Sequence, residues 1–367
     1  LEAQGRILSQ TVTAECDLPP FDNSAVDGYA VLAEDTEGAS RQNPKTLRLI
    51  GEVMAGQLAE VPLERGTCIR VMTGAPMPPN ATAMVMVEDT HLVSPSEVQI
   101  HLPVRLKDHI RYRASEMRQG DTVLTGGIPI RSSEIGALAR AGCGTVSVYR
   151  QPRVAIISTG DELVGIDTPS PPLYGKIRDS NRYALASMVL EAGAQVHSIT
   201  HIPDDLAATE AAFLHCVESG AEVIVTAGGV SVGDRDYVKP VLEKLGTLEF
   251  WRIAMKPGKP LAFGRIADTL FFGLPGNPVS AAVTFELFVR PTLRKMMGIV
   301  GSSLLRPTVP VMLTEYVPHT PSRREYVRAI VTPTAQGFTA TVTGDQSSSR
   351  LSSLLSANAL LVIPEDS

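Results

Sequence analysis

Two turns and one loop in the second half of the chain combine glycine, lysine and carboxylate residues in a pattern that suits a phosphate or oxyanion. The first turn reads AGGVSVGDRD from Ala227 to Asp236. Gly228 and Gly229 open backbone conformations closed to other residues. Successive amides in such a turn make a concave anion site, and the helix start that follows adds a favourable dipole. The second turn reads GLPGNPVSA from Gly273 to Ala281. There Gly276 lets the backbone approach a ligand, and Ser280 can offer a hydroxyl to an oxyanion. Between the turns lies MKPGKP, in which Lys256 and Lys259 bracket a Pro-Gly turn. Two ammonium groups on a stiff loop make a clamp for a phosphate or oxyanion. Each feature also has a plain reading: a tight ligand-free turn for the glycines, a well-made helix start for Asn277 and Pro278, a solvated loop for the lysines.

Carboxylates occupy further loop positions: Asp27, Glu116, Asp161, Glu162, Asp204, Asp205, Asp234 and Asp236. Oxygen ligands close to phosphates are what Mg2+ takes. Taken singly, each reads equally well as a cap or a solvated charge, and Asp205 and Asp236 have adequate capping explanations. The set as a whole points to a metal near an anion.

Other chemistries are disfavoured. No GxGxxG follows a strand and no GxxxxGK[ST] phosphate loop occurs. Gly229 to Gly233 (GVSVG) has the GxSxG spacing, and it reads as part of the anion-binding turn. His197 and His201 stand four apart but fall in the strand-like run Val196 to Ile202, so the histidines are read as surface or core residues. Cys16, Cys68, Cys143 and Cys216 are far apart with no CxxC, so a reduced, cytoplasmic setting is expected. The net charge of -6 and aromatic content of 5% argue against nucleic-acid binding. No apolar run is long enough to span a membrane.

The elements that must position these loops follow from periodicity. With 367 residues the chain is too long for one core, and domains of ~100–200 residues are the rule. Arg153 to Thr159 is a β-branched run, Val196 to Ile202 and Glu222 to Thr226 are further strands, and Leu270 to Phe272 is another. Helical spacing separates them, with Leu185, Met188, Val189 and Ala192 inward in one helix and Leu206, Phe213, Leu214 and Val217 in the next. Leu242 and Leu245 face inward in a third helix, and a fourth runs from Pro278 toward Gly298. Such alternation predicts a parallel sheet with helices on both faces, and ligands beyond its C-terminal strand ends. The expected organisation is a multidomain, elongated α/β protein with four parts. Residues 1–27 and 112–150 form a linking α/β module, 28–111 a small β domain, 151–298 the central parallel-sheet domain and 299–367 a C-terminal β domain. A helix near Ser133 to Ala141, capped by Ser132 or Ser133, belongs to the linking module.

Taken together the motifs resemble one family. LPPFDNSAVDGYAV, MTGAP, STGDELV, GKIRDSNR, GGVSVGDRDY, KPGKPLAF and LPGNPVSA look like those of the molybdenum insertases, the molybdopterin molybdotransferases related to the C-terminal domain of gephyrin. The match runs in order from Leu18 to Pro364. The resemblance implies a central molybdopterin-binding domain, an elongated homodimer and a Mg2+-dependent reaction. Adenylated molybdopterin and molybdate enter; molybdenum cofactor and AMP leave. It further implies that Asp27 reaches the partner subunit's cleft, and that Glu162 and Asp236 hold substrate or Mg2+ with Asp204 or Asp205. Ser231, Gly228, Gly229, Gly276, Asn277 and Thr73 would contact the ligand, and Lys256, Lys259, Ser280, Arg328 and Ser353 would line the molybdate and phosphate sites. Glu116 stands where the family pattern has Asp, as a further metal candidate. The usual N-terminal helix and last strand of the family are not in the sequence, so trimmed ends are expected.

Catalysis in that scheme is positioning and electrostatics, with no covalent nucleophile. Two rivals share the fold: an adenylyltransferase acting on molybdopterin, which is also a candidate partner, and a non-catalytic gephyrin-like scaffold. The extra domains, the KPGKP loop and the full set of acids and lysines favour the insertase.

Overall fold

The computed structural model describes residues 1–230, 236–319 and 321–366. Ser231 and Asp234, named above, lie outside the described residues. The chain divides into two compact units, one made of 1–4, 10–126 and 130–147, the other of 5–9, 127–129 and 148–367.

The second unit is built on a six-stranded sheet ordered Gln195–Ile202, Arg153–Thr159, Val223–Ala227, Thr269–Leu274, Ala262–Ile266, Thr247–Trp251. The first four strands are parallel. The last two are antiparallel, so the sheet is mixed where an all-parallel one was expected. The reason is local: Thr247–Trp251 follows its helix across only Gly246, and Ala262–Ile266 and Thr269–Leu274 are joined by a two-residue hairpin. Neither strand shows a long β-branched run in sequence.

Side chains alternate across the sheet, as strand geometry requires. Val154 and Ile156 pack with Leu185, Val189, Ala281 and Phe285 on one face. Ala155 and Ile157 pack with Phe213, Val238, Val241 and Leu242 on the other. Helices therefore cover both faces, as the periodicity predicts. One face assignment was wrong. In the helix Leu206–Glu218 the buried residues are Thr209, Phe213 and Cys216, while Leu206 and Leu214 are exposed. Phe213 sets the buried stripe, and its neighbours three and four residues away fill it regardless of hydrophobicity. Asp205 caps this helix, its Oδ1 accepting from Ala208 N–H at 2.8 Å.

A second sheet in the same unit contains Met255–Lys256, Arg324–Thr334, Gly337–Val342, Met312–Leu313 and Ala359–Ile363. Its first strand is part of the lysine loop, running parallel to Arg324–Thr334 with Met255 opposite Arg324 and Lys256 opposite Glu325.

The first unit holds a six-stranded sheet ordered Ala83–Met86, Gly28–Val31, Thr67–Val71, Lys45–Val53, Glu97–Ile100, Thr90–Ser94. The short strands expected between turns are present. Its helix spans Ser132–Arg140 with Arg131 in the capping position, where the Arg131 backbone N–H donates to Glu134 Oε2 at 2.8 Å. Ser132 is thus the first helical residue and not its cap. No helix among the described residues is long and apolar enough to cross a membrane.

Candidate functional site

The two glycine-rich turns leave adjacent parallel strands, Val223–Ala227 and Thr269–Leu274, at the same C-terminal edge, where open α/β sheets bind ligands. Gly228 and Gly229 have φ of +97° and +69°. A Cβ on Gly228 would sit 2.9 Å from both the carbonyl and the hydroxyl oxygen of Thr159, so only glycine fits. Gly228 N–H donates to Leu274 O at 3.1 Å. A Cβ on Gly276 would lie 3.6 Å from Gly228 Cα, which places the two turns in direct contact. On the far side Asn181, the first residue of the helix Asn181–Glu191, donates through Nδ2 to Gly276 O at 2.7 Å.

These turns wall a cavity of about 570 Å³. Glu162, Asp204, Asp236, Gly228, Gly229, Gly276 and Asn277 line it, together with Thr159, Arg178 and Asp179. The hydroxyl of Thr159 is buried there with no hydrogen-bond partner among the described residues. Asp179 is held by Ser158 Oγ and by the Arg182 guanidinium at 3.3 Å.

A second cavity, of about 770 Å³, shares Pro260, Pro275 and Asn277 with the first. Its character is different. Lys256, Lys259, Arg323 and Arg328 line it, with Glu325 as the carboxylate among them. Ser280 lines it from the helix Pro278–Thr284. Asn277 occupies the capping position of that helix and Pro278 its first turn, but the Asn277 side chain makes no cap bond, which leaves it available to either cavity. Gly258, at φ +107°, permits the lysine loop to lie against this helix, because a Cβ there would be 2.5 Å from Thr284 Cγ2.

Arg328 is 1% exposed. Its Nε donates to Ser353 Oγ at 3.1 Å and its NH2 to Ser347 O at 3.1 Å. Burial pulls the guanidinium pKa below its ordinary value, with the Asp345 carboxylate opposing. Ser353 is absent from the lining of the cavity and stands behind Arg328. The loop at Ser347 to Ser349 bridges the two cavities: Ser347 and Ser348 line the second, Ser349 the first, and Ser348 O accepts from Val279 N–H at 3.0 Å. Glu325, Asn181 and this serine loop were not singled out from the sequence. The serine run SSSR was its visible signal, and Asn181 lies within the motif GKIRDSNR; Glu325 pairs with a residue far away in sequence.

Turn residues, four carboxylates and Arg178 line one cavity, and Lys256, Lys259, Arg323 and Arg328 line its neighbour.

Asp27, Thr73 and Glu116 belong to the first unit. Asp27 Oδ1 accepts from both the backbone N–H and the Oγ1 of Thr73, each at 2.7 Å. Those two donors, the amide first, hold its carboxyl pKa below the ordinary value. Glu116 pairs with Arg140 at 2.6 Å on an exposed surface.

Of the metal candidates, Glu116 in the first unit is engaged with Arg140; in the second unit Asp205 caps a helix, while Asp236 lines the first cavity together with Asp204. No cluster of three or more acidic, histidine or cysteine side chains arranged for a metal occurs among the described residues.

Comparison with known proteins agrees with this geometry. The family described as MoeA N-terminal region (domain I and II) matches residues 1–142, the probable molybdopterin binding domain matches 155–295, and the MoeA C-terminal region (domain IV) matches 310–367. A molybdopterin molybdenumtransferase 2 of Mycobacterium tuberculosis is 40% identical over 371 residues, covering 100% of this chain and 90% of that protein. The chain belongs to the molybdopterin molybdenumtransferase family. Another relative in this family, gephyrin of Dictyostelium discoideum, is 36% identical; the alignment covers 98% of this chain and 56% of that longer protein. Among solved structures, a molybdopterin biosynthesis moeA protein from Pyrococcus horikoshii OT3 superposes with a TM-score of 0.85 at 31% identity, over 100% of this chain and 89% of that one. The molybdenumtransferase fold is thus shared along the whole chain.

Proposed function

We propose that this protein is a molybdopterin molybdenumtransferase that inserts molybdate into adenylated molybdopterin and releases AMP. The observation that carries this reading is the pair of cavities with a common wall at Pro260, Pro275 and Asn277. A reaction that joins an oxyanion to a phosphate-linked pterin needs two anion subsites side by side. The glycine turns and helix starts of the first cavity suit the pyrophosphate of the adenylated pterin. The lysines, Arg328 and Ser280 of the second suit tetrahedral molybdate, a dianion. An adenylyltransferase has no use for the second cavity, and its wall depends on the C-terminal sheet.

Mg2+ fits the donor chemistry of the first cavity. Mg2+ is commonly held by one or two carboxylates and completed by phosphate oxygens and water. Glu162, Asp204 and Asp236 supply such oxygens in one cavity. When bound, the ion would neutralise charge on the phosphoanhydride. Residues of the chain do the rest: the turn amides orient the pyrophosphate, and Lys256 and Lys259 hold molybdate against the shared wall. Catalysis is then placement and field, as in phosphoryl transfer.

With this activity we propose the remaining expectations: a homodimer in the cytoplasm in which Asp27 and Thr73 serve the partner subunit's cleft, a four-module chain, and an adenylyltransferase as the supplier of substrate. Molybdate-dependent AMP release from adenylated molybdopterin tests the reaction. Release without molybdate dependence, or net adenylation of molybdopterin by ATP, would replace this reading with the adenylyltransferase. Absence of molybdate and AMP binding by calorimetry would leave a scaffold.

A further inference from the structure

Glu325 is a carboxylate in a cavity otherwise suited to an anion. Its Oε2 lies 3.2 Å from Lys256 Nζ. Its Oε1 lies 3.3 Å from the same ammonium and 3.4 Å from His319 Nδ1. The Glu325 side chain is 4% exposed and that of Lys256 is 50% exposed. The two residues face each other in the ladder that joins the lysine loop to the C-terminal sheet.

The ion pair with Lys256 is by itself a weak source of stability, because desolvating a carboxylate costs about what a partner returns and the lysine is half exposed. Anion attraction does not explain the placement, since a negative charge beside the subsite opposes a dianion. What the arrangement does supply is order. A free lysine side chain carries substantial rotamer entropy, part of which is lost whenever its ammonium is fixed by a ligand. Both Glu325 oxygens converge on Lys256 Nζ, and the backbone ladder fixes Glu325 opposite it. The ammonium is therefore held at the cavity before any anion arrives, with hydrogens left over for it, since an ammonium has three donors.

We infer that Glu325 is a positioning residue for molybdate binding, acting through Lys256. The inference rests on the reading of the second cavity given above. It differs from a simple charge argument in sign: removing the negative charge weakens the site instead of strengthening it.

The test uses the full chain and sodium molybdate. Calorimetric titrations compare the unaltered protein with Glu325→Gln, Glu325→Asp, Lys256→Met and the Lys256→Met/Glu325→Gln pair. Glu325→Gln is expected to weaken binding by about threefold to tenfold, in the range of coupling between contacting residues. Glu325→Asp recovers part of that loss. In the Lys256→Met background, Glu325→Gln has no further effect. Tighter or unchanged binding by Glu325→Gln overturns the inference, as does an equal loss in both backgrounds, which marks a general packing role. A molybdate-free readout separates failure of the inference from failure of the proposed function. With nitrogen-labelled lysine, the Lys256 ammonium resonance is expected to be protected from water exchange in the unaltered protein and lost in Glu325→Gln. If that holds while the unaltered protein binds no molybdate, the functional reading fails and the positioning stands. If the resonance is the same in both proteins, the positioning role is wrong whatever the titrations show.

Discussion

Arg328 and Ser353 are bonded to each other inside the protein: Nε donates to Oγ at 3.1 Å, and the residues are 1% and 4% exposed. The serine hydroxyl in turn donates to Arg350 O at 2.7 Å. A guanidinium at the wall of an anion cavity is thereby held in one orientation by a residue that does not line it. Ser353→Ala leaves Nε buried without that partner. Such a loss costs ~1–3 kcal/mol, visible as a lower urea midpoint, and molybdate affinity should fall with it. An unchanged midpoint and affinity would show that Arg328 needs no support.

Lys259→Ala should lower molybdate affinity by about tenfold or more, since a hydrogen bond to a charged group contributes ~1.5–3 kcal/mol. The residue is exposed. Calorimetry on the folded variant decides, and unaltered molybdate-dependent AMP release would remove Lys259 from the clamp.

Gly228→Ala tests the glycine turn. The new Cβ meets two oxygens of Thr159 at 2.9 Å, at a φ of +97°. Strain of this kind costs on the order of 1–3 kcal/mol. The expected result is a lower melting temperature together with weaker AMP binding. Gly38→Ala serves as the control for φ alone, since at φ +71° its Cβ meets nothing within 4 Å.

Asp27 carries a pH prediction. Its folded pKa lies below the ordinary 3.8 because Thr73 donates twice to it. The contribution of that contact to stability is therefore present above pH 3.8 and is lost as pH falls through the lower folded value. Thr73→Val removes one of the two donors and should move the Asp27 titration up toward 3.8, read by the carboxyl carbon resonance. A titration that does not move would mean that the backbone amide alone sets the shift.

The cysteines should separate into two classes under alkylation. Cys16 is exposed, whereas Cys68 is buried and its thiol is pushed up to about 12 by burial. At pH 8, mass spectrometry should find Cys16 modified within minutes and Cys68 only on unfolding. Equal rates would contradict the packing of the first unit.

Much of this was legible in the chain because it is written in short-range pattern. The β-branched run at Arg153 to Thr159 and the Gly-Gly and Gly-Asn-Pro turns specify strands and strand-end loops through periodicity and backbone sterics alone. The short strands of the first unit were visible for the same reason. What stayed hidden depends on contacts between distant residues. Lys256 and Glu325 are 69 positions apart in the ladder that joins them, and no local signal announces the pairing. Leu206 and Leu214 look like core and are exposed, because Phe213 decides which stripe of their helix turns inward. Asp204 and Asp205 are adjacent acids that sequence could not tell apart; one caps a helix and the other faces the cavity.

Because Met255 and Lys256 are strand partners of Arg324 and Glu325, the proposed oxyanion subsite draws on both layers at once. A chimera that kept the glycine turns of this chain and borrowed a terminal sheet from a distant relative would retain its nucleotide cleft and forfeit its hold on the metal oxyanion. On the proposed function, a mismatch between the two segments would show first as a protein that still binds AMP but ignores molybdate.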